Sequence, residues 1–205
     1  MKDARQARVL TAALEVFSES SFGDATTDEI ARRAHMSKRD IYAAFADKHA
    51  ILAAVIEMVL QTGDESFKRV ISDSRSIDSL QERLEILGLS LTGEILSPVT
   101  GFIVRLVASE SLHEPAVGEL FYKNWYSRRG QAIARMLSAI HVDTNKKARP
   151  LFDSQQASKH FLALIAQLPQ TTAAANIGGA WNTKTIQAHV KSAVECFLNA
   201  YPVLA

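Results

Sequence analysis

Two neighbouring cationic side chains, Lys38 and Arg39, follow a hydroxyl side chain, Ser37, and precede a carboxylate, Asp40. Ammonium and guanidinium groups donate hydrogen bonds to phosphate oxygens and to acceptors on the edges of nucleic-acid bases. Asp40 suits three roles: it could orient Arg39, accept from a cytosine amino group, or cap a helix as its third residue. The segment therefore indicates nucleic-acid binding, and the alternative is a charged helix face in solvent.

Further groups that suit phosphate lie on either side of this segment. Thr26 and Thr27 begin a run with the spacing of a helix capping box, and Ser37 begins a second one. The free amides at such helix starts carry partial positive charge, which suits a phosphate group. Tyr42 adds a rigid hydroxyl, and Lys48 adds an ammonium at the next expected helix start.

The spacing of apolar residues predicts the elements that position these groups. An amphipathic helix is expected over residues 4–20, capped helices over 26–34 and 37–45, and a fourth helix from 47 to about 70. Two short helices joined by a tight turn, with a third behind them, form a helix-turn-helix. The second helix of that motif can enter the DNA major groove, and here it would begin at Lys38.

The rest of the chain is also predicted to be helical. No segment shows sustained alternation with period two, so we expect an all-α fold. Residues 1–50 would form a three-helix domain and residues 51–205 a larger helical domain. The five prolines are expected in gaps or first helical turns. The later helices are predicted over residues 77–96, 101–112, 115–140, 154–168 and 183–201, and the prolines are Pro98, Pro115, Pro150, Pro169 and Pro202.

Composition excludes several classes of protein. The 205 residues are 47% hydrophobic and 22% charged with a net charge of +1, as in globular rather than disordered or polybasic proteins. Residues 1–50 contain eight Lys and Arg and eight Asp and Glu, so the nucleic-acid hypothesis depends on the motif and not on charge. The charged N-terminus and the polar groups within residues 161–183 favour a cytoplasmic protein with no membrane contact.

Catalytic and metal motifs are not found in the sequence. The single cysteine, Cys196, excludes an intrachain disulfide, and its apolar neighbours predict a buried thiol. The six histidines lack ligand spacing, so neither a metal ion nor a cofactor is expected, and no nucleophile elbow or phosphate loop indicates an enzyme. The basic stretch 123–149, which includes Arg129, is interpreted as an outer helix face and its loop, with a second nucleic-acid surface as the alternative.

Three segments resemble the N-terminal domain of TetR-family transcriptional regulators. They are AALEVF at residues 12–17, FGDATTDEIARRA at residues 22–34 and SKRDIYAAFADK at residues 37–48. The resemblance implies an all-α homodimer whose N-terminal domains bind a palindromic double-stranded operator. It also implies that residues 51–205 carry the dimer interface and a small-molecule pocket.

The family pattern also implies roles in DNA binding for individual side chains. Residue 35 corresponds to a glycine in many family members, which predicts a positive φ at His35. Ala43 and Ala44 replace side chains that often add backbone contacts, which implies weaker DNA binding. The implied phosphate contacts are Thr26, Thr27, Tyr42 and Lys48, and the implied groove-reading positions are Lys38, Arg39 and Asp40.

The C-terminal part is similar to the AefR-like branch of the family through RLVASE at residues 105–110, Pro115 and the pair at 121–122. Aromatic and apolar side chains there could line an effector pocket, or could be plain core. The apolar residues of the last two helices suggest a two-fold interface, or ordinary packing within the chain. The candidate pocket residues are Phe102, Leu106, Phe121 and Trp125, with Arg105, His113 or His160 as the polar anchor.

These observations lead to one main hypothesis: a dimeric, ligand-responsive DNA-binding regulator, acting as a repressor that a small, largely apolar effector releases from its operator. A transcriptional activator on the same scaffold is the first alternative. A ligand-binding protein with a weakened DNA-binding domain is the second, because of Ala43 and Ala44.

Overall fold

The computed structural model of the protein describes residues 2–142, 152–177, 179 and 181–204. Within those ranges the backbone forms α-helices and short 3-10 and π turns without a β-strand, which confirms the predicted all-α fold. The α-helices are α1 Lys2–Glu19, α2 Thr27–Ala34, α3 Lys38–Ala44, α4 Lys48–Asp73, α5 Leu80–Ile95, α6 Pro98–Glu110, α7 Pro115–Phe121, α8 Arg128–Val142, α9 Ser154–Ala174 and α10 Thr183–Ala200.

Helices α1, α2 and α3 pack around a small apolar centre. Phe17 of α1, Ile30 of α2 and Ile41 of α3 are fully buried there. Helix α4 crosses the expected domain boundary at residue 50 and packs its first turns against α1. The apolar residues of both parts belong to one continuous core, so the three-helix unit rests on the remainder of the chain.

The later helices form a bundle around the second part of that core. Helix α5 packs against α9 and α10, and α9 also contacts α6 and α8. Phe161 and Ile165 of α9 and Val194 and Phe197 of α10 are fully buried within the chain. Most of the apolar surface predicted on the last two helices therefore packs internally, and Leu168 is an exception at 54% exposed.

The helix predicted over residues 115–140 contains a π turn. Helix α7 continues through the π turn Tyr122–Ser127 into α8 without an intervening loop. A π turn adds a residue to the helical repeat and rotates the side chains that follow. Asn124 and Trp125 within this turn are buried, and Arg129, four residues after Trp125 and four before the buried Ile133, is 0% exposed. The interpretation of Arg129 as part of an outer face was therefore wrong.

Helix α9 extends past Pro169 to Ala174, so the prediction that every proline lies in a gap or a first turn was wrong at this position. A proline inside a helix leaves the carbonyl four residues earlier without its N–H partner. That carbonyl belongs to Ile165, and His189 Nε2 of α10 lies 3.0 Å from it. The tertiary contact therefore supplies the missing donor. Pro98 and Pro115 do occupy first turns, as predicted.

Cys196 is exposed, which contradicts the predicted buried thiol. Helix α10 turns Val190, Ala193, Val194 and Phe197 inward, and position 196 falls outside that spacing of three and four residues. The expectations for Pro150 and for the basic residues of the loop after α8 lie outside the described residues.

Among the described helices, none alone is long and apolar enough to cross a membrane. Helices α5 and α6 reach the length and apolar character of a membrane span only when they are taken together, and the chain bends by 67° between them.

Candidate nucleic-acid interface

The first turns of α2 and α3 are both capped, but the predicted capping box is complete only in α3, because the Glu29 carboxylate of α2 is engaged by Arg32 and Arg33. Thr26 Oγ1 accepts a 3.2 Å hydrogen bond from the Glu29 backbone N–H, and Ser37 Oγ accepts one of 3.1 Å from the Asp40 N–H. Asp40 in turn accepts from the Ser37 hydroxyl at 2.7 Å and from its backbone N–H at 3.4 Å. These bonds from Ser37 hold the pKa of the Asp40 carboxyl below its usual value. Of the three roles that Asp40 suits, the structure shows capping.

Two contacts bring the starts of α2 and α3 to the same surface. The hydroxyls of Thr27 and Tyr42 lie 3.2 Å apart, and Lys38 Nζ lies 2.9 Å from Asp28 Oδ1. The hydrogen bond to Asp28 raises the pKa of the Lys38 ammonium, so Lys38 stays charged at neutral pH. Hydroxyl and cationic donors thus share one surface, although the charge of Lys38 is balanced by a neighbouring carboxylate.

Arg39 is exposed on the first turn of α3, next to Lys38. Within the described part of the chain the structure gives its guanidinium no hydrogen-bond or ion-pair partner. Tyr42 follows one helical turn later and is 48% exposed. The donors of Arg39 and the hydroxyl of Tyr42 are therefore accessible to a macromolecule at this surface.

The turn between α2 and α3 depends on His35. Its φ of 51° and ψ of 47° are left-handed, which confirms the predicted positive φ. The N–H of His35 donates to Arg32 O at 3.3 Å and that of Met36 donates to Ala31 O at 3.0 Å. This geometry ends α2 and directs the chain into α3.

Lys48 is occupied inside the N-terminal unit. Its ammonium donates to the carbonyls of Phe22, Gly23 and Ala25 at 2.6, 3.1 and 3.0 Å, and it lies 4.5 Å from the centre of the Phe22 ring. An ammonium has three N–H donors, so all of them have acceptors. A direct bond to phosphate would require Lys48 to give up one of these carbonyls. The three bonds instead fix the loop that precedes α2.

An ion-pair network that sequence reasoning missed joins α1 to α2. Arg33 contacts Glu19 at 2.5 Å and Glu29 at 2.8 Å, and Arg32 contacts Glu29 at 2.7 Å. Hydrogen bonds from Arg32 and Arg33 lower the pKa of Glu29 to about 2. The spacing of three and four residues from Glu29 to the arginines was a visible signal, whereas Glu19 is distant in sequence.

An open groove lies beside α3 where α1 begins. One part of about 510 Å³ is lined by Arg5, Arg8, Arg32 and His35 among others, and an adjoining part of about 540 Å³ reaches Ala43 and Ala44. Arg5 and Arg8 of α1 thus lie beside the first turn of α3, which the sequence alone did not indicate.

The predicted pocket residues occupy several places in the larger domain. Leu106 and Trp125 are buried, and the rings of Phe121 and Trp125 are parallel with centroids 6.3 Å apart. Phe102 is partly buried against the core, and Arg105 Nη1 donates to Ala173 O at 3.0 Å.

His160, a candidate polar anchor of the pocket, is exposed on α9 and contacts polar side chains. Its ring nitrogens lie 2.6 Å from Tyr201 Oη and 2.8 Å from Gln156 Nε2. His113, the third candidate anchor, is also exposed. In the described ranges, no cluster of three or more His, Cys, Asp or Glu side chains is arranged to hold a metal ion.

Comparison with known families decides the classification. Residues 9–55 match the bacterial regulatory proteins of the tetR family, and residues 82–203 match the C-terminal domain of AefR-like transcriptional repressors. The second match alone covers more than half of the chain. The chain belongs to the TetR family. Both parts of the resemblance seen in the sequence are confirmed, and members of the TetR family are transcriptional regulators rather than enzymes.

Solved structures share the TetR-family fold over nearly the whole chain. A protein of Mesorhizobium loti MAFF303099 assigned to the family superimposes with a TM-score of 0.86 at 19% identity, covering 98% of both chains. The flavonoid-responsive regulator FrrA has a TM-score of 0.72 at 24% identity, with 97% of each chain covered. A TetR-family regulator of Pseudomonas syringae has a TM-score of 0.69 at 22% identity, again with 97% coverage. No curated protein sequence matches the chain significantly.

Proposed function

We propose that this TetR-family regulator is a dimeric repressor that binds a palindromic operator through α3. The observation that carries the proposal is the pair of capped helix starts at one surface, linked by the Thr27–Tyr42 and Asp28–Lys38 contacts. Lys38 and Arg39 would read the major groove, while Thr26, Thr27 and Tyr42 would bind phosphates. Lys48 would support these contacts by holding the loop before α2.

Dimerisation is proposed through α9 and α10. Leu168 is 54% exposed on α9, and Leu164 and Leu198 are only partly buried. A two-fold axis between such helices would form a four-helix interface and place two copies of α3 about one or more DNA turns apart, roughly 34 Å for the simplest spacing. A protein with this activity acts on DNA in the cytoplasm.

The larger domain is proposed to bind a small, largely apolar effector near Phe102, Leu106, Phe121 and Trp125. Arg105 already donates to a backbone carbonyl, and His160 is engaged with Tyr201. An effector that favours a different separation of the two N-terminal domains would lower operator affinity. Because such coupling is reciprocal, operator DNA would weaken effector binding to the same degree.

Selection of bound sequences from a random DNA pool tests this function. We expect an inverted repeat whose half-sites are spaced by whole DNA turns, with affinity that falls as salt rises. Recovery of no common sequence by the dimer would contradict the proposal, and a ligand-binding protein with an inactive DNA-binding domain would then fit better. A reporter under the selected operator, with and without the gene, separates repression from activation.

A further inference from the structure

A fully buried arginine lies in the larger domain, far along the chain from the proposed DNA contacts. Arg129 of α8 is 0% exposed, and its Nη2 lies 2.5 Å from Glu94 Oε1 of α5. The guanidinium carbon lies 4.9 Å from the centre of the Trp125 ring and 5.7 Å from that of Phe67. The cation is therefore neutralised by one carboxylate and flanked by two aromatic rings.

Two N–H donors at this place lack acceptors. Neither Arg129 Nε nor Trp125 Nε1 has a hydrogen-bond partner among the described residues. Arg129 Nη1 makes only long contacts, 3.4 Å to Trp125 O and 3.5 Å to Asn124 O. Native proteins rarely leave buried donors unpaired, because the lost hydration is not replaced. Two unpaired donors in one small aromatic region indicate that a bound acceptor supplies their missing hydrogen bonds.

The charges around the donors select the kind of acceptor. Glu94 already balances Arg129, so an anion would add an uncompensated buried charge, which is strongly unfavourable. A neutral carbonyl oxygen has two lone pairs and accepts from both N–H groups without adding charge. The neighbouring rings of Phe67 and Trp125 suit a planar apolar frame.

The site also borders a partly buried ring and contacts α4. Phe121 is only partly buried and its ring lies parallel to that of Trp125, so it is the side chain beside the indole that a bound molecule would displace. On the other side, a Cβ added at Gly63 of α4 would collide with the Glu94 carboxylate and lie 2.9 Å from Arg129 Nη2. The Glu94–Arg129 pair therefore rests on the helix that begins directly after α3.

We propose that Arg129 Nε and Trp125 Nε1 are the polar anchor of the effector site, and that the effector is a neutral aromatic carbonyl compound. This inference rests on the proposed effector response and assigns the anchor to Arg129 in place of Arg105 or His160. The carbonyl oxygen accepts from both donors while the aromatic frame takes the place of Phe121.

The two tryptophans of the chain allow a direct test by NMR. In ¹⁵N-labelled protein without DNA, the indole N–H of Trp125 is assigned by comparison with the Trp181→Phe variant. Three probes of similar size are then titrated: acetophenone, which has a neutral carbonyl; ethylbenzene, which has no acceptor; and benzoate, which is an anion. We expect acetophenone alone to shift the Trp125 N–H downfield in a saturable way.

The Arg129→Lys variant keeps the charge opposite Glu94 but removes Nε, and Arg135→Lys on an exposed position of the same helix is its control. We expect about fivefold weaker acetophenone binding for Arg129→Lys, equivalent to one hydrogen bond, and no change for Arg135→Lys. If Arg129→Lys does not fold, Trp125→Phe should show the same loss by calorimetry. Equal responses to acetophenone and ethylbenzene, tighter binding of benzoate, or an unmoved Trp125 signal would overturn the proposal, and none of these results depends on DNA binding.

Discussion

Lys38 Nζ lies 2.9 Å from Asp28 Oδ1, so the first cation of α3 is ion-paired with a carboxylate on the first turn of α2. Both side chains are more than half exposed, at 51% and 70%. A phosphate or base that binds Lys38 must therefore compete with Asp28. This intramolecular competitor sets how much of the cationic surface is available to DNA.

Replacing Asp28 with Asn should strengthen DNA binding. The substitution removes a competitor for Lys38 and a negative charge near the phosphates, so we expect about two- to tenfold tighter binding at low salt. The slope of log K against log salt should steepen by up to about 0.9, the value for one additional phosphate contact. Fluorescence anisotropy across a salt series measures both quantities. Asp78→Asn, an exposed charge change near α5, is the control and should change neither.

Lys48→Met should destabilise the N-terminal unit. It removes the donor to three carbonyls, those of Phe22, Gly23 and Ala25, and leaves them to water or unpaired. We expect a loss of about 2 kcal/mol in the free energy of unfolding, measured by urea denaturation. Lys123→Met, at an exposed lysine, is the matched control. An unchanged midpoint for Lys48→Met would show that the three contacts contribute little.

His35→Gly should stabilise the protein. The left-handed backbone at φ 51° is unfavourable for a residue with a Cβ and is open to glycine. We expect a gain of about 1 kcal/mol, or roughly 2–4 °C in Tm for a chain of this size. His35→Val should be less stable than either form. If glycine and valine have the same effect, backbone conformation is not the cause.

Glu29 should make stability depend on pH in the acidic range. Hydrogen bonds from Arg32 and then Arg33 lower its folded-state pKa to about 2, below the ordinary value of 4.5. A group with a lowered folded pKa stabilises the fold above its unfolded pKa, and this contribution is lost as pH falls from about 4.5 to 2. Glu29→Gln should therefore lower Tm at pH 7 and have a smaller effect at pH 3, as measured by circular dichroism. Glu57→Gln, at an exposed glutamate on α4, should show no such difference.

Local signals in the sequence were sufficient for the starts of α2 and α3. The caps at Thr26 and Ser37 depend on contacts within about five residues, which sequence spacing reports directly, whereas the left-handed backbone at His35 was predicted from the family pattern. The overall helical pattern is likewise a local property.

Tertiary contacts explain what the sequence could not predict. Helix α9 continues past Pro169 because His189, twenty residues later, reaches the carbonyl of Ile165. Arg129 lies on the same buried face of α8 as Ile133 and Leu137, and Glu94 of another helix meets its charge there. In the candidate site, the Asp28–Lys38 pair depends on how α2 and α3 dock, which residue types alone do not reveal.

The most direct test compares Lys38→Ala, Arg39→Ala and the double variant on the operator recovered from the random pool. Loss of two groove-reading side chains should weaken specific binding by about 100-fold or more, while size-exclusion chromatography shows an unchanged dimer. Arg135→Ala, an exposed arginine on α8, should bind like the unaltered protein. Unchanged operator affinity in the double variant, with the dimer intact, would contradict the assignment of α3 as the DNA-reading helix.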